Sequence, residues 1–179
     1  MPTPKDHEVL LKVEASPINP SDLGLLISFA ADLSSISTEG SGDDKTTTMN
    51  ILPALHKTMT ARFDKSMKVG NEGGGVVVDS GEAGKELIGK TVGVAGGAMY
   101  SQYRCVPVES CLVMNDGTSP KDAASSFVNP LTALGFTETM KIENHTAIIH
   151  TAAASNLGQM LIKICQADGI PLVNLSLIH

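Results

Sequence analysis

The sequence predicts an α/β chain in which a small, mostly antiparallel β-barrel leads into the opening of a doubly wound parallel sheet. Three observations predict it. Short apolar strands separated by glycine-bearing turns occupy residues 8–15 and 75–114. A helical stretch replaces them after Asn115-Asp116-Gly117. A strand, a small-residue turn, a helix and a second strand then follow within residues 146–174, the order of one βαβ unit.

In Glu8–Ala15, Val9, Leu11, Val13 and Ala15 alternate with polar Lys12 and Glu14, the period of a half-buried strand. The prolines of Ser16-Pro17-Ile18-Asn19-Pro20-Ser21-Asp22 interrupt it, and Ser21 or Asp22 is expected to cap a short helix through Leu23–Ile27. Leu33–Thr48 is rich in Ser, Thr, Gly and Asp without sustained periodicity and reads as a surface loop or insertion. Leu52, Leu55, Met59 and Phe63 recur at helical spacing and predict an amphipathic helix over 52–65. Strands are expected at Gly75–Asp79, Thr91–Ala95, Met99–Val106 and Cys111–Met114. Ser119-Pro120-Lys121-Asp122 supplies an N-cap, a proline for the first helical position and an early acid. Asn129-Pro130 should end that helix and cap another, with Leu131, Leu134 and Met140 on its buried side. Thr146–His150 is an apolar run suited to burial on both faces. Leu157, Met160, Leu161, Ile164 and Cys165 then form a helical stripe that stops at Gly169, before a strand at Ile170–Asn174.

Composition narrows the function. A net charge of −6, with no block among the 13 Lys and Arg, disfavours a nucleic-acid surface. Three cysteines without CxxC or Cys/His spacing suggest neither a disulfide framework nor a zinc knot, and fit a reducing, cytoplasmic setting. No apolar run approaches the ~20 residues that span a bilayer.

Glu8-Val9-Leu10-Leu11-Lys12-Val13, Ile18-Asn19-Pro20-Ser21-Asp22, Gly70-Asn71-Glu72-Gly73-Gly74-Gly75-Val76, Tyr100-Ser101-Gln102-Tyr103, Asn129-Pro130-Leu131-Thr132-Ala133 and the Ala-rich turn to Gly158 occur in one order. In that order they resemble the zinc-independent quinone oxidoreductase and enoyl reductase branch of the medium-chain dehydrogenase/reductase superfamily. The resemblance implies a GroES-like substrate domain over residues 1–124, with an insertion at about 30–69, and a partial Rossmann domain for NADP(H) over 125–174. It also implies truncation at both ends, with little activity left to the 179-residue chain. Leu175-Ser176-Leu177-Ile178-His179 departs from the family's polar loop and reads as a non-native tail.

The turn Thr151–Gly158 carries the cofactor expectation. Small residues admit a pyrophosphate close to the backbone, and the amides of the following helix favour its charge. Ala153 and Ser155 stand at the first two glycine positions of a GxGxxG pattern and Gly158 at the third, with Asn156 and Leu157 between. Taken alone, an Ala-rich turn is more often close packing than a nucleotide site. By resemblance it holds NADPH, with Asn129 and Thr132 at the nicotinamide end; Asn129 is equally a good helix N-cap. The residue that would select NADPH over NADH falls in the tail, so that preference rests on the resemblance.

Zinc-dependent relatives carry Cys and His where this sequence has Asn19 and Asn71, so the resemblance implies a reductase without zinc. Its reaction would be hydride transfer to a quinone or an α,β-unsaturated carbonyl compound, with Asn19 donating to the substrate oxygen. Alone, Asn19 reads as a turn residue bonding its own backbone. Enoyl thioester reductases of this branch use a tyrosine between the segments matching Asp22 and Gly70, and none is present there. Glu72 is expected to be structural, His150 a hydrogen-bonded core residue and Cys165 packing. The expected ligand is a small electrophilic substrate, and the complete protein is expected to be a homodimer. A non-catalytic dinucleotide-binding relative is the alternative from another class.

Overall fold

The computed structural model describes residues 1–175, so the expectation for the tail falls, apart from Leu175, outside the described residues. Two compact units are present and are described separately: Met1–Pro17 together with the chain from Gly70 onward, and Ile18–Val69.

Strand β1 spans Glu8–Ala15 as the alternation requires, with Val9 and Leu11 wholly buried and Lys12 exposed. The chain then enters the Ile18–Val69 unit. Its helix α1 covers Pro20–Leu26, and the N-cap is Asn19, not Ser21 or Asp22. Pro20 takes the first helical position, where its missing N–H costs nothing. Asp22 is the third residue, and its carboxylate accepts from the Asn19 amide at 2.8 Å. The expected loop at 33–48 is instead an antiparallel hairpin, β2 (Ala31–Glu39) and β3 (Thr46–Ile51). Its strands lack an alternating pattern because both faces are largely solvated. The expected helix at 52–65 is also corrected. Tight turns at Pro53–Leu55 and Thr60–Arg62 flank one short helix, α2 (His56–Met59). Leu52 and Phe63 are exposed, so no continuous buried stripe holds a longer helix. Arg62 instead donates to the carbonyls of Gly24 and Leu25 at 3.1 and 3.2 Å, satisfying the C-terminal turn of α1.

In the other unit, β4 (Glu72–Ser80), β5 (Thr91–Ala95), β6 (Tyr103–Pro107) and β7 (Cys111–Val113) join β1 in a five-stranded antiparallel sheet of order β6-β1-β4-β5-β7. β6 starts at Tyr103 rather than Met99: after Gly96, Gly97 and Ala98, all at positive φ, the chain bends through Tyr100, Ser101 and Gln102 before it enters the strand. Val9, Leu11, Val77, Val92, Val94, Met99 and Val106 form one core on this sheet. Burial of side chains of this size stabilises by roughly 1.5–3 kcal/mol each. Helix α3 (Pro120–Ala123) is capped by Ser119, whose Oγ accepts from the Asp122 amide at 3.1 Å. It lies directly on the sheet because Gly74 has no side chain: a Cβ there would sit 2.3 Å from the Pro120 carbonyl oxygen.

Helix α4 (Val128–Ile142) starts before Asn129-Pro130 and runs through it, so these residues neither end one helix nor cap the next. Pro130 is the third helical residue, within the turn whose amides have no intrahelical partner. Leu131 and Leu134 are exposed, correcting their expected burial. Ala133 and Thr137 are the buried residues of this helix. Strand β8 (Ile148–His150), helix α5 (Asn156–Asp168) and β9 (Leu172–Asn174) form the βαβ unit, with β8 and β9 parallel. Ala133 of α4 joins Ile148, Leu161 and Cys165 in a second core, on which Met140, Met160 and Ile164 pack. Among the described residues one face of β8 is covered: Ile148 and His150 are buried and Ile149 is exposed, against the expected burial on both faces.

Candidate functional site

The cofactor residues expected from sequence gather at the N-terminus of α5. Ser155 is its cap, and its Oγ accepts from the Gly158 amide at 3.1 Å while donating to the Ala152 carbonyl at 2.7 Å. The Gln159 amide bonds the Ser155 carbonyl at 2.9 Å. That leaves the amides of Asn156 and Leu157, the first two helical residues, as the donors a helix start presents outward. Asn156 is exposed and Leu157 half-buried.

Gly158 explains the small-residue turn. A Cβ on it would lie 2.4 Å from the Ala153 carbonyl oxygen and 2.7 Å from that of Ala152, far inside contact distance. The turn backbone therefore presses on the first turn of α5, and Ala153 is itself buried. Close packing alone accounts for this. The end of α5 follows expectation, with Gly169 in the left-handed conformation at φ 66° and its amide on the Cys165 carbonyl.

Asn129 and Thr132 lie in the first turns of α4, in the same unit as this turn. Asn129 is the second helical residue and half-buried, so the cap role considered for it is corrected. Phe127 is the N-cap, and the acceptor for this helix start comes from Glu72 of β4. The Glu72 side chain is completely buried, and its Oε2 accepts from the Phe127 and Val128 amides at 2.9 Å each. Its backbone carbonyl accepts from Ser16 Oγ at 2.5 Å. A carboxylate at a helix N-terminus also opposes the positive end of the helix dipole. Thr132 is exposed and its hydroxyl donates to the Val128 carbonyl at 2.6 Å, which leaves its oxygen free to accept from a ligand.

His150 ends β8 just before the turn. It is 8% exposed, but its Nδ1 is buried without a hydrogen-bond partner among the described residues, so the expected hydrogen-bonded histidine is corrected at that atom. The ring meets Phe136 of α4 edge to face, with centroids 6.0 Å apart. Cys165 is 2% exposed within the second core, as expected for packing, and burial raises its thiol pKa.

Asn19, the expected substrate donor, lies in the Ile18–Val69 unit at the head of α1 and is 6% exposed. The structure thus brings the turn residues together and places Asn129 and Thr132 on the neighbouring helix of the same unit, with Asn19 in the other unit. The sequence reading missed Glu72 as the cap of α4, because the contact joins residues 55 and 56 positions apart. Among the described residues, no three His, Cys, Asp or Glu side chains are grouped to hold a metal, and no helix is long and apolar enough to cross a membrane.

No family model matches the sequence. Solved structures do. A chain of Mesorhizobium loti assigned as an NADPH:quinone reductase matches with a TM-score of 0.66 and 26% identity, over 97% of this chain and 44% of its own. The CurK enoyl reductase matches with a TM-score of 0.66 and 20% identity, over 97% of this chain and 47% of its own. A mycobacterial protein solved in complex with NADPH matches with a TM-score of 0.61 and 17% identity, over 97% and 44%. The chain spans about half the length of these structures. Its structural neighbours thus include NADPH:quinone reductases and enoyl reductases, in accord with the zinc-independent medium-chain branch that its ordered motifs resemble.

Proposed function

We propose that this chain is part of an NADPH-dependent, zinc-independent oxidoreductase that transfers hydride to a quinone or an α,β-unsaturated carbonyl compound. The observation that carries the proposal is the turn into α5, where Gly158 admits the Ala152 and Ala153 carbonyls at distances a side chain would forbid. A turn of small residues into a helix N-terminus beyond a parallel strand is where a dinucleotide pyrophosphate is held in folds of this kind. On this reading residues 1–124 are a GroES-like substrate domain and residues 125–174 the opening of a Rossmann domain. The similarity to an assigned NADPH:quinone reductase and to a structure holding NADPH supports the choice of cofactor.

NADPH would supply the hydride when bound. The Asn156 and Leu157 amides hold the pyrophosphate, Ser155 fixes the start of the helix, and Asn129 and Thr132 meet the nicotinamide end. Asn19 donates to the carbonyl or quinone oxygen as negative charge develops there, the step at which a preorganised donor lowers the barrier most. The medium is cytoplasmic and the complete assembly a homodimer.

The similarity to an enoyl reductase favours one other acceptor, a trans-2-enoyl thioester. Steady-state NADPH oxidation with a quinone panel and with enoyl thioesters separates the two. It should be measured on this chain, which is expected to turn over poorly, and on a product extended to the length of the solved structures. Absence of turnover with both acceptor classes by the folded, extended product would sink the enzymatic reading. NADPH binding without turnover would instead identify a non-catalytic dinucleotide-binding relative.

A further inference from the structure

Arg104 of β6 stands directly opposite Leu11 of β1. Residues facing each other across an antiparallel pair share a face, so the Arg104 side chain leaves the strand on the side of the wholly buried Leu11 and of Val106, two residues along. That is the core face, where a charge ordinarily requires an ionic partner. Arg104 has none among the described residues. Its Nη1 lies 3.1 Å from the weak acceptor Met99 Sδ, and its Nη2 donates to the Gly96 carbonyl at 3.2 Å. Burial lowers the guanidinium pKa from its ordinary value, and no neighbouring carboxylate offsets that effect. A guanidinium has five N–H donors, so among the described residues most of its capacity is unused.

The backbone beside it carries no side chain; its Gly96 and Gly97 amides both donate to the Asn71 carbonyl, at 3.1 and 3.3 Å, so the ledge gives access while the donors come from Arg104. Gly96 and Gly97 adopt φ of 138° and 76°, and the space a Cβ would occupy at either is open. A half-buried cation without a counter-charge therefore sits against an open ledge of backbone. We propose that Arg104 and the Gly96–Gly97 ledge form a binding subsite for an oxyanion, a carboxylate or phosphate group carried by a small molecule. The planar fork of arginine matches both groups in a bidentate manner, which a lysine does not. The inference does not rest on the reductase reading. The competing role for the residue is protection of a sheet edge, since β6 is an edge strand and an inward charge discourages pairing with another chain.

The test is the thermal midpoint of the 179-residue chain against inorganic phosphate and against acetate, at constant ionic strength set with chloride, for the wild type, Arg104→Lys and Arg104→Met. A saturable rise in the wild type is expected. Half-saturation should weaken by about fivefold or more in Arg104→Lys, and the rise should vanish in Arg104→Met. A response to phosphate alone assigns a phosphate ligand, and a response to acetate a carboxylate. A wild-type midpoint indifferent to both anions overturns the proposal and leaves edge protection. So does an Arg104→Met midpoint that rises as the wild type's does. If Arg104→Met does not fold, half-saturation in Arg104→Lys equal to that of the wild type overturns it.

Discussion

The Glu72 carboxylate accepts the Val128 amide at 2.9 Å, so a buried acid of the antiparallel sheet terminates the helix that begins the second core. Phe127 donates to the same oxygen, and α4 has no capping side chain of its own. Replacement by alanine leaves two part-buried amides without their acceptor. Glu72→Ala should therefore cost about 2–4 kcal/mol, read as a lower urea midpoint with an unchanged slope. Glu72→Gln keeps an accepting oxygen and should recover part of that loss. Equal stability of wild type and Glu72→Ala would show that the contact does not support α4.

Gly158→Ala forces a Cβ against two carbonyl oxygens of the turn. Overpacking of this kind costs about 1–3 kcal/mol. Displacing the turn should also weaken NADPH binding by tenfold or more on the order-of-magnitude scale of a lost pyrophosphate contact. Ser155→Ala removes the helix cap, at about 1 kcal/mol, and reads the contribution of that cap to the same turn. Fluorescence titration of NADPH with both variants of the extended product separates the cases. Gly158→Ala binding as tightly as the wild type would remove the turn from the cofactor site.

Asn19 is at once the N-cap of α1 and the proposed substrate donor, and the two roles separate by substitution. Glycine at an N-cap costs only a few tenths of a kcal/mol but carries no side-chain donor. Asn19→Gly should therefore fold nearly as stably as the wild type and lose roughly 10²-fold in kcat in the extended product. Unchanged turnover would leave Asn19 a cap and nothing more.

What the sequence made legible was set by how far each cause lies from its effect. Ser119 and Gly169 act on an amide or a carbonyl within four residues, and each performs the expected cap; Ser155, read as a residue of the small turn, caps α5 over an equally short range. The alternation of β1 and the stripe of α5 are likewise local. The hairpin at 31–51 was hidden because strands wetted on both faces carry no alternation to read. In α4, Leu131 and Leu134 promised burial, but Ala133 and Thr137 are the buried residues, small enough for close approach of a neighbouring helix. Of the site, the α5 turn was visible as a pattern of small residues. The Glu72 cap was not, because no local pattern marks a contact 56 residues long.

Cys111 provides a pH-dependent test of the sheet. Burial pushes its thiol from 9.0 up to about 11, and its Sγ donates to the Pro107 carbonyl at 3.6 Å, an interaction only the protonated form makes. The folded chain thus holds this proton more tightly than the unfolded chain does. The associated stability is complete below pH 9 and is lost as pH rises through 9 towards 11. At pH 8 the thiolate, which is the reacting form, should be scarcer by about 100-fold than in the unfolded chain. Iodoacetamide labelling of the peptide containing Cys111, followed by mass spectrometry with and without urea, should show that ratio and its decline above pH 9. Equal labelling rates in the two states would mean that the β7 edge opens faster than the reagent reacts, and that burial does not protect this thiol.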